Sequence, residues 1–186
     1  MQDLLPSHKW LIYHPVKRVK KDSNAGPPGW EWEGIGVLSK HRILSYHIVN
    51  LTVGRGVDSN PRAFLSTQIS VDDFEVSVVD LHFSYDRKDQ CNNAWDVLKY
   101  LHSAGVEETI LLGDFNVYND YYWPVDALRN GNFGPDAPKE CKRMQKPWFH
   151  GQTDYKFIDA WGEINGQYPG FTFSNMVSSG STNIWI

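Results

Sequence analysis

The stretch from position 110 to 116, which reads Ile-Leu-Leu-Gly-Asp-Phe-Asn, is the part of the sequence that decides the fold. Its short apolar run predicts a buried strand, and Gly113 lets the backbone turn sharply where that strand ends. In an extended segment Asp114 and Asn116 point to one side, while Phe115 points back into the core. The sequence therefore predicts a carboxylate and a carboxamide side by side at the end of a strand.

These two polar side chains suit phosphate chemistry, and they also suit an ordinary turn. A carboxylate can orient an attacking water or bind a divalent cation. A carboxamide N–H can bind a phosphate oxygen without adding negative charge. Because Asp and Asn cap turns routinely, an Asx turn at Asp114 and Asn116 is the structural alternative.

The surrounding patterns predict an α/β fold. Alternating or continuous apolar runs predict strands at 10–16, 34–39, 43–51, 63–71, 74–83 and 109–112. Asp72 and Asp73 predict a tight hairpin, and the polar, proline-rich segment 17–29 predicts a loop. We expect Trp30 and Trp32, beside that loop, to pack against the first strand; contact with a substrate or a membrane is the alternative.

A helix is predicted between the last two strands. Its apolar face is formed by residues at helical spacing, Cys91, Ala94, Trp95, Leu98 and Leu101. Asp86 or Ser84 is the candidate N-cap, and Gly105 is the candidate terminator. The order strand, helix, strand predicts a crossover that places Asp114 at a sheet edge beside His82. Further on, Pro124 predicts a short helix at 124–128, and 130–150 reads as a long loop.

Composition predicts one globular domain and restricts its partners. A chain of 186 residues with 41% hydrophobic residues can bury a sizeable core, and no apolar run approaches a membrane span. The net charge of −4 argues against a protein that simply coats nucleic acid, although basic runs at 17–21 and 139–146 could rim a cleft. Cys91 and Cys141 have no metal or redox spacing, so we expect structural thiols, with one disulfide as the alternative. The sequence does not decide the compartment.

Four segments resemble the endonuclease/exonuclease/phosphatase superfamily, the deoxyribonuclease-I-like phosphoesterases. Gly113 to Asn116 resembles the central Gly-Asp-Phe-Asn motif, which is the most specific of the four. In the required order, 33–40 resembles an early strand, 79–84 the strand that carries a histidine, and 170–173 a late Gly-Phe-Thr-Phe segment. By the same resemblance Asp159 is expected to be structural and Trp161 to lie in the core.

The resemblance implies a deoxyribonuclease-I-like β-sandwich of mixed sheets flanked by helices, formed by one domain over residues 1–186. It implies hydrolysis of a phosphoester with Mg²⁺, or alternatively Mn²⁺. Asp114 would orient the nucleophilic water and help hold the metal, while Asn116 and His82 would bind and neutralise the phosphate. His82 would otherwise be read as a hydrogen-bonded structural residue of its strand.

Two parts of the family pattern are missing from this sequence. The family's first metal ligand is a glutamate in an early Gln-Glu pair, and its last motif is Ser-Asp-His; neither appears where expected. Glu31, Glu33 and Glu75 are the local substitutes, and no spacing recommends them. We therefore expect a fragment incomplete at both ends, weak Mg²⁺ binding and no appreciable activity.

Two alternatives follow from these departures. One is a catalytically dead interaction module on the same scaffold, and the other is a product that does not fold stably. If the chain is an enzyme, its negative charge favours a lipid or a small phosphodiester over polymeric nucleic acid as substrate. We expect a monomer.

Overall fold

The computed structural model describes residues 7–21, 29–54, 56–106, 108–118, 120–142, 156–166, 171–173 and 184–185. Within these ranges, five successive strands are followed by helices and short strands. The elements are β1 (Trp10–Lys20), β2 (Trp30–Ser39), β3 (Arg42–Asn50), β4 (Ala63–Val71), β5 (Phe74–His82), α1 (Arg87–Ala104), β6 (Thr109–Asp114), β7 (Val117–Tyr118), α2 (Trp123–Asn130), α3 (Lys139–Lys142), α4 (Ala160–Asn165), β8 (Phe171–Phe173) and β9 (Ile184–Trp185).

The chain divides into two compact units. The first comprises Met1–Asn50, Asn60–His82 and Glu107–Gly113, and the second comprises Leu51–Ser59, Phe83–Val106 and Asp114–Ile186. That residues 1–186 form a single domain stays a prediction. The two units are described separately below.

The first unit contains two sheets. Strands β1 and β2 form an antiparallel ribbon that runs from the pair Trp10–Ser39 to the pair Lys20–Trp30. The predicted loop is wrong for residues 17–20, because pairing with β2 extends β1 beyond the apolar pattern that marked the strand. Residues 22–28 of that predicted loop lie outside the described residues.

The second sheet of this unit has the order β3-β4-β5-β6. The hairpin between β4 and β5 is confirmed: Val71 pairs with Phe74, and Asp72 takes the left-handed φ of 52° in the two-residue turn. Beside β5, the backbone N–H of Ser77 donates to Glu108, and that of Phe83 donates to Asp114. From the first bond to the second, the chain advances in the same direction on both strands, so β6 runs parallel to β5. The predicted mixed sheet is thereby confirmed.

The core of the first unit lies between its two sheets. Ile35 of β2 packs with Ala63 and Leu65 of β4, and Ile12, Val16 and Val37 pack against them. The tryptophans at the other end of β2 are not part of this core. Trp30 and Trp32 expose 61% and 59% of their surface. The predicted contact with the first strand is present at Trp30, where the Arg18 guanidinium of β1 lies 5.4 Å from the ring centroid, but this contact is on the surface. They lie on the part of the ribbon that continues past the core.

In the second unit, the predicted helix is confirmed as α1. The Asp86 carboxylate caps it by accepting from the backbone N–H of Lys88, and Gly105 ends it in the left-handed conformation. Helix α2 is longer than predicted and reaches Asn130. The predicted loop at 130–150 contains the short helix α3, and its residues 143–150 lie outside the described residues.

A disulfide joins Cys91 of α1 to Cys141 of α3, so the prediction of structural thiols is wrong and the alternative holds. Sequence spacing did not show it because fifty residues separate the two cysteines. The Tyr121 hydroxyl lies 3.5 Å from the Cys91 sulfur and 3.4 Å from the Cys141 sulfur. The pKa of Tyr121 is raised to about 12, mainly because its hydroxyl is buried.

Near the end of the chain, one of the two predictions for 157–161 is confirmed. The Asp159 carboxylate caps α4 through the backbone N–H groups of Trp161 and Gly162, which is a structural role. Trp161 is half exposed, so the prediction that it lies in the core is wrong. None of the six residues of α4 is buried, so the helix as a whole lies at the surface. Of the late family segment 170–173, Gly170 lies outside the described residues.

Candidate functional site

The Asp114–Asn116 segment forms a tight turn after β6. Strand β6 ends at Asp114, and Asn116 has a left-handed φ of 49°. The backbone N–H of Asn116 donates to Asp114 Oδ1 over 2.8 Å, which is an Asx turn. The prediction that both side chains project from an extended segment is therefore wrong, and the turn fixes the carboxylate through a backbone bond instead.

Gly113 is required by the close approach of β5. Its φ is 126°, and a Cβ built at this position would lie 2.0 Å from the carbonyl oxygen of Leu81. No L-residue with a side chain fits there without moving the backbone. The glycine thus does more than let the strand end: it lets β6 lie against β5 immediately before the turn.

Two neighbours hold the Asn116 carboxamide and its backbone. Asn116 Nδ2 donates to the carbonyl oxygen of Phe83 over 2.9 Å. Gln90 Nε2, from the first turn of α1, donates to the carbonyl oxygen of Asn116 over 2.5 Å. The ring of Phe115, between the two polar residues, meets the Phe83 ring edge to face at 5.5 Å between centroids. The left-handed turn is therefore fixed from several directions, which a non-glycine residue in this conformation needs.

The role of Gln90 was not predicted from the sequence. Its side chain is fully buried, and its Oε1 has no hydrogen-bond partner within the described part of the chain. A signal was available, because Gln90 directly precedes the apolar face of α1, where a polar side chain has to be explained. What the helical pattern did not show is the partner, because Asn116 lies 26 residues further on.

Aspartates of the second unit near α1 serve the loop at 51–59. The carboxylates of Asp96, Asp89 and Asp86 accept from the backbone N–H groups of Thr52, Gly54 and Val57. Asp58 accepts from the hydroxyl of Ser84 over 2.8 Å. These carboxylates hold the loop in place, which is a structural role.

In the first unit, His82 ends β5 beside a buried arginine. Arg62 Nη1 lies 2.6 Å from His82 Nε2, and Arg62 is almost fully buried. A guanidinium can only donate, so Nε2 of His82 must accept and the imidazole is neutral in this arrangement. The role of His82 in binding and neutralising a phosphate stays a prediction, and the permanent cation beside it is Arg62.

Arg62 was not predicted from the sequence either, although the hairpin register indicates its position. The two-residue turn at Asp72 and Asp73 fixes the register of β4 on β5, with Phe64 opposite Leu81. Arg62 precedes Phe64 by two residues, so this register places it beside the end of β5, where His82 lies. His82 and the Asp114–Asn116 turn belong to different units, and their adjacency stays a prediction.

Asp80 precedes His82 by two positions on β5. Its Oδ2 accepts from the backbone N–H of Gly36 over 3.2 Å. Burial raises the pKa of Asp80, and this hydrogen bond lowers it by a smaller amount. The carboxylate thus helps to join the two sheets of the first unit.

No group of three or more His, Cys, Asp or Glu side chains that could hold a metal ion occurs among the residues that the structure describes. Asp114 offers the hard oxygen that Mg²⁺ prefers, but an octahedral ion takes several such ligands. Glu31, Glu33 and Glu75, the substitutes considered above, are exposed on β2 and β5. The described residues therefore supply at most part of a magnesium site.

A mixed sheet whose parallel strand ends in a Gly-Asp-Phe-Asn turn defines this molecule as an α/β protein of the deoxyribonuclease-I-like class. The chain belongs to the endonuclease/exonuclease/phosphatase family, whose family model matches residues 2–180. The predicted family and fold class are confirmed. No curated protein matches the chain closely enough to count as a relative.

Two solved structures with a TM-score of 0.51 agree with this fold, and a third shares sequence similarity over a shorter stretch. The catalytic domain of human nocturnin, with a bound sulfate, is 14% identical; the match covers 68% of this chain and 50% of that one, with a TM-score of 0.51. A family member from Bacteroides thetaiotaomicron is 19% identical over 68% of this chain and 46% of that one, also with a TM-score of 0.51. Sphingomyelinase C from Streptomyces griseocarneus is 26% identical over 46% and 34%, with a TM-score of 0.42. The chain spans half the length of these structures or less.

Proposed function

We propose that this chain carries part of the active site of a metal-dependent phosphoester hydrolase. The observation that supports this most is the turn at Asp114 and Asn116, in which a carboxylate and a carboxamide are fixed by backbone bonds and by Gln90. Groups that are fixed before the substrate binds need no reorganisation in the transition state. An ordinary Asx turn would not need the buried glutamine behind it.

Asp114 would orient the attacking water, and Asn116 would bind the phosphate. The hydrogen bond from the Asn116 backbone sets the orientation of the Asp114 carboxylate, as a general base or water-positioning group requires. The Asn116 carboxamide nitrogen carries two hydrogens, of which one is used on Phe83. The second can donate to a phosphate oxygen without adding negative charge.

His82 and Arg62 would act together on the phosphate charge. The neutral imidazole accepts from Arg62, so the permanent positive charge at this position belongs to the guanidinium. A guanidinium recognises phosphate oxygens with two parallel N–H groups. In this proposal His82 orients Arg62, and the two residues together bind the phosphate and neutralise its charge.

Mg²⁺, with Mn²⁺ as an alternative, would polarise the phosphate when bound, with Asp114 as one ligand. Because the described residues form no further ligand group, we expect weak affinity for the metal in this chain. A lipid or a small phosphodiester is the proposed substrate class, since the net charge of −4 opposes binding of polymeric nucleic acid. We propose a monomer.

The proposal is tested in the complete natural chain that contains residues 1–186. There we expect Asp114→Ala to lower Mg²⁺-dependent phosphodiesterase activity by about three orders of magnitude or more, with the fold intact. Asp73→Ala, in the exposed hairpin turn, is the matched control and should leave turnover unchanged. Full activity of the Asp114→Ala enzyme would show that this turn is not part of the active site.

For the 186-residue chain itself, we expect no appreciable hydrolysis of any phosphoester. When several residues act together in catalysis, the loss of some of them removes far more activity than their share of the site. The measurement compares the purified chain with its Asp114→Ala variant on p-nitrophenyl phosphodiesters, plasmid DNA and sphingomyelin, with Mg²⁺, Mn²⁺ or EDTA. EDTA-sensitive turnover above the variant would mean that unrecognised ligands complete the metal site.

The second candidate function is a catalytically dead interaction module on the same scaffold. The absence of a metal-ligating group among the described residues favours it. In that case the complete natural chain would also lack turnover, and Asp114→Ala would change neither activity nor binding of Mg²⁺. Titration calorimetry with Mg²⁺ on that chain separates the two candidates without any assumption about the substrate.

A further inference from the structure

The far end of the β1–β2 ribbon has an exposed face of unusual chemistry. In the antiparallel register Lys20 is opposite Trp30, and Arg18 is opposite Trp32. Residues that are directly opposite project from the same side of a sheet, so these four side chains share one face. We call it the indole–cation face. All four residues are exposed, and the described helices include none that could span a membrane.

The acidic side chains of the ribbon lie on the side away from the indole–cation face, where Lys17 is opposite Glu33. The Arg18 guanidinium lies 5.4 Å from the centroid of the Trp30 ring, a cation–π contact that holds a cation and an indole together. The acidic residues of this part of β2, Glu31 and Glu33, alternate to the opposite side. The indole–cation face is therefore positive and aromatic in a chain whose net charge is −4.

This combination fits the surface of an anionic bilayer. Indole rings prefer the boundary between hydrocarbon and headgroups, and cations just above that level attract anionic lipids. A polynucleotide could also stack on indoles, but its affinity comes mainly from neutralised phosphates, and two cations neutralise few of them. Because the face has two large indoles and only two cations, a membrane is favoured over a polynucleotide as its partner.

We propose that the indole–cation face docks this protein on membranes that contain anionic lipid. The proposal goes beyond hydrolysis: it gives the protein a surface that recognises a lipid layer, whether or not the chain turns over a phosphoester. Docking is measured in EDTA and repeated with Asp114→Ala, so failure of the hydrolase proposal and failure of this one are separate results.

The experiment is cosedimentation of the full chain with vesicles of phosphatidylcholine, alone or with about one third phosphatidylserine. We expect binding to the anionic vesicles only, weakened by salt. Arg18→Gln with Lys20→Gln should lower the partition coefficient by about twenty-five-fold, at about fivefold for each cation. Trp30→Ala with Trp32→Ala should lower it by about tenfold or more.

Matched controls come from exposed residues elsewhere. Phe74→Ala removes an aromatic ring that is 69% exposed at the β4–β5 hairpin, and Lys88→Gln removes an exposed cation of α1; neither should change binding. Quenching of tryptophan emission by brominated lipid tests the unaltered chain, so a variant that fails to fold does not leave the question open.

Three results would overturn the proposal. One is the absence of binding and quenching with anionic vesicles. The second is equal binding by the tryptophan variant and the wild-type chain. The third is evidence that the indole–cation face binds a different partner. That evidence would be binding of a single-stranded oligonucleotide without binding of vesicles, or a dimer that dissociates in the tryptophan variant.

Discussion

The disulfide between Cys91 and Cys141 gives a prediction whose magnitude follows from the structure. It ties α1 to α3 across fifty residues, and both cysteines are fully buried. The Tyr121 hydroxyl lies against both sulfurs and also donates to the carbonyl oxygen of Arg87 over 3.2 Å. The bond thus closes a long loop in the second unit and is surrounded by well-placed partners.

Loop closure sets the expected energy. A cross-link that closes fifty residues restricts the unfolded chain by about 4 kcal/mol at 25 °C in the chain-entropy model. That is a large part of the roughly 5–15 kcal/mol that stabilises a typical domain. We therefore expect Cys91→Ala with Cys141→Ala to lower the free energy of unfolding by about 4 kcal/mol, which moves a urea midpoint by about 2 M.

The assay is urea unfolding of the wild-type chain, with and without reductant, beside the double variant. Thiol titration before and after unfolding should detect no free thiol in the oxidised chain. Two free thiols in the purified natural protein, or one midpoint with and without reductant, would refute this reasoning. Tyr121→Phe is the control, because it removes the hydroxyl contacts and leaves the cross-link. A disulfide in the natural protein would also indicate an oxidising compartment.

Three further predictions concern the candidate site. In the complete natural chain, His82→Ala should lower turnover by about a hundredfold or more with little change in melting temperature. Gln90→Met keeps the volume of the side chain but removes the bond to Asn116, so kcat should fall while KM changes little. Asp80→Asn should stabilise the chain at pH 7 and have little effect at pH 3. In the folded chain the pKa of Asp80 is raised above its ordinary value of 3.8. Its contribution to folding stability is therefore fully present below pH 3.8 and is lost as the pH rises through the folded pKa.

Each of these has an outcome that would contradict it. A large drop in melting temperature with unchanged turnover would make His82 an ordinary structural histidine. For Gln90, an unchanged kcat in the Gln90→Met variant would show that the bond to Asn116 does not support turnover. For Asp80, equal destabilisation of the Asp80→Asn variant at both pH values would show that the hydrogen bond to Gly36, and not burial of the charge, dominates.

Local chemistry allowed much of the fold to be predicted from the sequence. Helix α1 could be predicted because its apolar spacing, the Asp86 cap and Gly105 all lie within one segment. The hairpin at Asp72 could be predicted because two turn residues separate two strand patterns. The family could be identified because Gly113 to Asn116 is a contiguous motif. Each signal lies within a few positions of the feature that it predicts.

The tertiary structure alone decided the contacts between segments that are distant along the chain. Gln90 meets Asn116 across 26 residues, Arg62 meets His82 across 20, and the disulfide joins cysteines fifty residues apart. The indole–cation face depends on the register of two paired strands, which no single-strand pattern contains. Periodicity and capping act through neighbours along the chain, whereas long-range pairing depends on how whole elements pack. The motif could therefore be read from the sequence, but the residues that hold it in place could not.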